Sequence, residues 1–464
     1  MPIRGEPGQP AGLFDGVFAR GPVDTGSRAW LAGLLTAEAA LARALERAGL
    51  APPGAGAAVT AAAAAADIDL AYLSQQAALP GNPVPALARE LAKLVPPDAA
   101  SAVHKGATSQ DIIDTAAMLL ARDALAAIAA SLAAAAGSAA RLAASHRDTV
   151  MIGRTLLQQA VPVTFGLVAA GWLTSLDEAA DGLRRVREQR LAVQFGGAAG
   201  TLASLGADGP RVAVLLAEEL GLAVPVLPWH TDRLRIVEIA AACTGAAAAL
   251  GKIGRDVTLL AQTEIGEVRE GGGRDGGGGV RRGGSSAMPH KRNPVAAISV
   301  LACTRQIPGL AVALAASAEA ELQRAAGGWH AEWEPYSALL RLTGSAAAWG
   351  DELLSGLTVD AARMSANLTA AGGLPLAERV SALLAPAIGQ VAAHDLVAEA
   401  SADAVRHRLP LAEALLRHPD TAQRLAAAGV SRTDLAAALD PTTYLGAAHT
   451  FTDAALAAHH ARFS

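Results

Sequence analysis

The segment Glu270–Pro294, EGGGRDGGGGVRRGGSSAMPHKRNP, concentrates groups able to work on an anion. Ser285 and Ser286 bring hydroxyls, Lys291 an ammonium, Arg292 a guanidinium, His290 an imidazole and Asn293 an amide. Asn293-Pro294 reads as an N-cap and N1 pair opening a helix over Val295–Arg305, and the first N–H groups of a helix favour negative charge. The glycine run before it, with Arg274, Asp275, Arg281 and Arg282, has no apolar face to bury and loses much entropy on ordering. It is expected to be a mobile loop that opens for a substrate and closes over it. The glycines alone fit a plain linker equally well; the dense polar mixture that follows them does not.

Two further stretches carry polar groups at apparent helix ends. In HKGATSQDIIDT, His104 to Thr115, Thr108 and Ser109 precede Asp111, where hydroxyls and unpaired N–H groups can hold a carboxylate. On residue type alone such groups are helix caps more often than ligands. In GRTLLQQAVPVTFG, Gly153 to Gly166, Thr155 and Gln158 can hydrogen-bond a carboxylate, whereas Leu156 between them cannot move a proton. No His, Cys or carboxylate set has metal-ligand spacing, and the glycine run lacks a GxxxxGK[ST] arrangement. Neither a metal nor a cofactor is expected.

The elements that must position these groups are helical. Of the 464 residues 52% are hydrophobic and only 3% aromatic, so alanine and leucine, both strong helix formers, supply most of the apolar surface. Long helices are predicted over Ile112–Ala144, Pro162–Glu188, Pro210–Leu220, Leu234–Glu264 and Pro294–Ala326, flanked by shorter ones at Trp30–Gly49, Ala57–Ala66 and Val84–Val95. Three domains follow: 1–110, a central long-helix bundle over 111–348, and a small helical domain over 349–464. Alanine-rich helices bury little area each, so neighbouring subunits are expected to complete the core. The net charge of −5 is interspersed, with no basic stripe, which argues against nucleic acid as a partner. The apolar stretch Ile239–Gly251 reads as a core helix too short for a bilayer, so no membrane is expected. Cys243 and Cys303 read as buried small hydrophobes rather than a disulfide. With no apolar signal segment after Met1, these point to a reduced, cytoplasmic setting.

GSSAMPHKRNP resembles the GSSxMPxKxN block of the fumarase/aspartase superfamily, whose members eliminate or add across the Cα–Cβ bond of succinate-like substrates. HKGATSQD and GRTLLQ are similar to its two other blocks. The resemblance implies an all-α, three-domain fold assembling into a 20-helix tetramer core, with each active site drawn from three subunits. It implies Ser285 as the proton-transfer residue, Lys291 and His104 as catalytic partners, and Thr108, Ser109, Thr155, Gln158, Gln262, Arg292 and Asn293 as contacts to a small polycarboxylate substrate. The reaction shared by the superfamily removes a proton α to a carboxylate, and the doubly charged aci-carboxylate so formed demands fixed positive charge. Many members carry a general-acid histidine where this chain has Leu156, so a leaving group that needs little protonation is expected. LLAQTEIGEV (Leu259–Val268), LPWHTDR (Leu227–Arg233), QFGGAAGTLASLG (Gln194–Gly206) and WHAEWE (Trp329–Glu334) narrow the likeness to the carboxymuconate-cycloisomerase branch. There the nucleophile is the substrate's own carboxylate. A fumarate-releasing lyase acting on an adenylosuccinate-like or other substituted succinate is the alternative within the superfamily, and a non-catalytic helical scaffold the alternative outside it.

Overall fold

The computed structural model describes residues 12–271, 282–284, 287–417 and 419–462. Helices dominate it: Ser109–Ser145, Phe165–Gln189, Leu234–Leu260 and Gly328–Ser355 each run for 25 residues or more. The all-α expectation holds with two small additions, a hairpin pairing Val150–Thr155 with Gln158–Thr164 and a ribbon pairing Val268–Glu270 with Leu357–Val359. The hairpin corrects the long helix expected from Pro162. The β-branched run Val161, Val163 and Thr164 continues a strand, and the helix begins at Phe165. The single helix expected over Pro294–Ala326 is two, Val295–Thr304 and Ile307–Ser317, the second opening with Pro308 in its first turn.

The chain divides into two compact units. The first comprises Met1–Ala133, Glu178–Lys252 and Ile298–Asp351. In it the helix Ser27–Arg47 turns Leu34, Leu41 and Leu45 inward and packs on Ala55–Ala65 and Gly209–Leu220. Burial of each such leucine is worth ~1.5–3 kcal/mol. Cys243 and Cys303 are buried free thiols here, and burial pushes the Cys243 thiol up to about 12. The second unit comprises Ala134–Asp177, Ile253–Ala297 and Glu352–Ser464. It holds the hairpin, the ribbon and a C-terminal helical core built on Val380, Leu384, Leu396, Leu411, Leu415 and Leu435.

Ile239–Gly251 belongs to a helix of 27 residues, longer than its apolar stretch, because Leu234–Glu238 and Lys252–Leu260 continue it in helical register. Among the described residues three helical stretches, Ser109–Ser145, Leu234–Leu260 and Val295–Ser317, are long and apolar enough to cross a membrane. Their most apolar windows are 56%, 50% and 39% buried within this one chain.

Candidate active site

In the first unit the block from His104 is organised by Asp111, a carboxylate in the first turn of Ser109–Ser145. It accepts from the backbone N–H of Thr108 at 3.0 Å, of Gly196 at 3.0 Å and of Gly197 at 2.9 Å, and pairs with His230 Nε2 at 2.7 Å. Asp111 therefore clamps the Gly196–Gly197 turn onto the helix start that carries Thr108 and Ser109. Gly196 is required there, since a Cβ would lie 2.7 Å from the His230 ring. Arg324 closes the same corner: it donates to the Gly197 carbonyl at 2.8 Å and to Gln110 Oε1 at 3.3 Å. Its Nε is buried without a hydrogen-bond partner among the described residues. Neither Thr108 Oγ1 nor Ser109 Oγ makes a hydrogen bond among the described residues, so both hydroxyls remain open to a ligand.

Beneath this corner lies a buried charge cluster. Arg233 grips Asp114 through two nitrogens, at 2.7 and 3.0 Å, and Glu332 at 2.6 Å, while Trp329 Nε1 donates to Asp114 at 3.0 Å. Burial pushes the Glu332 carboxyl above its ordinary range, and Arg233 opposes that shift. Trp329, His330 and Trp333 stack on one another edge-on or tilted, as a packed aromatic corner.

In the second unit Thr155 and Gln158 flank the tip of the hairpin, and both are exposed. The tip residues are Leu156 and Leu157, at φ 51° and 65°, a left-handed turn that leucine adopts at a cost. At 97% and 72% exposed they are largely bare of apolar cover from the described residues. The hairpin is anchored by Arg154, which forms a two-pronged pair with the wholly buried Glu267 at 2.7 and 2.9 Å; Asn367 also binds Glu267 at 2.8 Å. Arg154 is thus a strut, not a free cation for substrate. Gln262, exposed, closes the end of Leu234–Leu260 by donating to the Leu259 carbonyl at 2.9 Å.

The serine pair Ser285–Ser286 and the glycines of 272–281 lie outside the described residues; their flanks do not. Gly271 donates to the Gly356 carbonyl at 2.7 Å, and Arg282 pairs with Glu352 at 2.7 Å. Asn293 returns to the Gly283 carbonyl through its backbone at 2.9 Å and its amide at 3.2 Å, and Gly284 bridges to Arg292. Lys291 and Arg292 are exposed, and their side chains make no ion pair among the described residues. The expectation that Asn293 caps the following helix is corrected: Glu270 does so, accepting from Ala296 at 3.0 Å and Ala297 at 2.8 Å. A charged carboxylate outcompetes an amide for helix N–H groups. Burial pushes the Glu270 carboxyl up, against the pull of those N–H groups and of Arg282.

Gly283 sits at φ 80°, and a Cβ there would run into the Asn293 carbonyl. Gly283→Ala is therefore expected to misplace Lys291. We expect kcat to fall about tenfold or more, the equivalent of ~1.4 kcal/mol of barrier, with the thermal midpoint nearly unchanged. Steady-state kinetics beside a melting curve check it; unchanged kcat would show that the clasp does not position the lysine.

The three blocks are legible in the sequence, whereas the residues that hold them are not. His230, Gly196 and Gly197 were visible only as parts of longer similar stretches. The available signal for Glu38 was a charge inside the apolar run LLTAEAALARAL; it is wholly buried. Arg324 carried none.

The description "Lyase" matches residues 25–309, and "Adenylosuccinate lyase C-terminus" matches residues 373–455. The nitrosuccinate lyase of Streptomyces davaonensis is 45% identical over 96% of this chain and 94% of its own. The 3-carboxy-cis,cis-muconate cycloisomerase of Pseudomonas aeruginosa is 44% identical over 97% and 96%. Among solved structures, the 3-carboxy-cis,cis-muconate lactonizing enzyme of Pseudomonas putida superposes with a TM-score of 0.88 at 40% identity, covering 97% of this chain and all of that one.

Proposed function

The chain belongs to the lyase family of the fumarase/aspartase superfamily, and from that premise we propose that it is a 3-carboxy-cis,cis-muconate cycloisomerase, forming 4-carboxymuconolactone in protocatechuate catabolism. The observation that carries this reading is 44% identity across nearly the whole chain to a relative of that activity. The hairpin agrees with it, because Leu156 and Leu157 offer no proton donor where Thr155 and Gln158 meet substrate.

In the lactonising direction one carboxylate oxygen of the substrate bonds to a carbon of its own double bond. The electron pair moves onto the neighbouring carboxylate as an aci-carboxylate, and the Ser285 hydroxyl then delivers a proton to the carbon α to it. Lys291 and Asn293 face the charge that accumulates, with Arg292 beside them. His104, Thr108, Ser109, Thr155, Gln158 and Gln262 hold the other carboxylates. Because the nucleophile is intramolecular, holding one conformer removes much of the barrier. In reverse the leaving group is a carboxylate, stable as an anion, so Leu156 costs little.

The three blocks come together in a cytoplasmic homotetramer, each from a different subunit. The half-bare apolar helices support that reading: Ile298 and Val312 stand 49% and 69% exposed in the single chain.

A second reading, elimination of nitrite from nitrosuccinate, is favoured by the 45% identity to the Streptomyces davaonensis enzyme. Nitrite also leaves as a stable anion, so Leu156 does not separate the two. Parallel incubations do. Loss of the diene's ultraviolet absorbance with 3-carboxy-cis,cis-muconate is the expected result. Faster nitrite release from nitrosuccinate would replace the first reading with the second.

A further inference from the structure

Glu38 lies midway along Ser27–Arg47, fully buried between leucines and alanines, where an unpaired carboxylate is costly. Both of its oxygens accept from one residue: the His104 backbone N–H at 2.9 Å and His104 Nδ1 at 2.7 Å. To donate to a carboxylate, Nδ1 must carry the proton. The second ring nitrogen, Nε2, has no partner among the described residues, and 23% of the side chain is open. The His104 backbone stands at φ 56°, a conformation a non-glycine residue keeps only where its surroundings impose it. Glu38 therefore fixes both the backbone and the ring of the residue that opens the Thr108–Ser109 block.

We propose that Glu38 is the positioning residue of this block: it locks the His104 ring with Nδ1–H turned into the protein, so that Nε2–H is offered to a substrate carboxylate. The inference rests on reading His104 as a substrate contact. The charged groups facing the ring are Glu38 from its own helix and Asp111 from Ser109–Ser145; neighbouring Lys105 reaches away to the Leu50 carbonyl. Burial works against the imidazolium, but the Glu38 hydrogen bond and charge, with the charge of Asp111, outweigh it and hold His104 above its ordinary value. The ring is thus biased toward its cationic form, in which both nitrogens donate. As pH rises through its pKa the donor's charge is lost, and kcat/KM falls with it.

Glu38→Gln keeps the shape and removes the charge. With 3-carboxy-cis,cis-muconate as substrate, the alkaline limb of kcat/KM is expected to move toward acid by about one unit or more, with KM rising more than kcat falls. Glu38→Asp should restore part of the shift, and His104→Gln should abolish the limb. If His104→Gln leaves KM and the profile unchanged, the site reading itself fails. If His104→Gln does its damage but Glu38→Gln leaves the limb in place, the positioning role alone is overturned. Histidine NMR of the ¹⁵N-labelled wild-type protein decides independently of turnover and of whether the variants fold. A protected Nδ1–H and a titration above that of free histidine support the proposal; a neutral ring protonated only on Nε2 at pH 7 overturns it.

Discussion

Replacement of Ser285 by alanine is expected to lower kcat by about 10²- to 10⁴-fold, the usual worth of a positioned proton-transfer group. KM should stay within a few-fold of wild type, because the hydroxyl acts on a proton and not on the carboxylates that bind the substrate. A serine is a poor base in water, and its alkoxide becomes accessible only beside fixed positive charge in a closed site. The flanks of the segment are built to supply that charge. Gly283 and Asn293 clasp each other, Gly284 bridges to Arg292, and Lys291 stands exposed between them with no ion pair among the described residues. Ser286→Ala, one residue on, serves as the control and should cost far less. The measurement is kcat and KM for both variants alongside circular dichroism. Full turnover by Ser285→Ala would remove the serine from the mechanism and leave Lys291 as an electrostatic group in search of a base.

The largest effect on stability is expected from Arg233→Met. Asp114 and Glu332 are buried, and this one guanidinium pairs with both, at contacts of 2.6–3.0 Å. Removing one member of such a cluster leaves uncompensated charge in a low-dielectric interior, a loss of about 3–5 kcal/mol. The variant should unfold at a markedly lower urea concentration. Its stability should also recover as pH falls. Without Arg233 the buried Glu332 carboxyl favours the protonated state when folded, so the folded chain binds more protons than the unfolded one, and acid favours folding. Glu332 already inclines that way in the native protein, since burial raises it even against Arg233. Replacing all three residues by apolar ones of similar volume should restore most of the loss. An unchanged urea midpoint for Arg233→Met would mean that the cluster contributes nothing net.

Much of this protein was decided locally and could be read from the chain. Helix identity follows from alanine and leucine in bulk, which need no distant partner to favour helical backbone. The chemistry-bearing blocks are contiguous, so their residue types and spacing are legible without a fold: His104 to Ser109, Thr155 to Gln158, and Ser285 to Asn293. Even Leu156 was informative as a side chain unable to carry a proton. Tertiary structure decided which polar groups are open to a ligand and which are spent on holding the fold. Arg154 is in sequence only a charge beside Thr155; Glu267, more than a hundred residues away, takes both of its prongs and makes it a strut. Asn293 looks like a helix cap until Glu270 fills that position. Glu38 looks like a stray charge until His104 folds over it. Each outcome depends on a hydrogen-bond partner remote in sequence and on the desolvation that makes the pairing obligatory, and neither quantity is a property of a local run of residues.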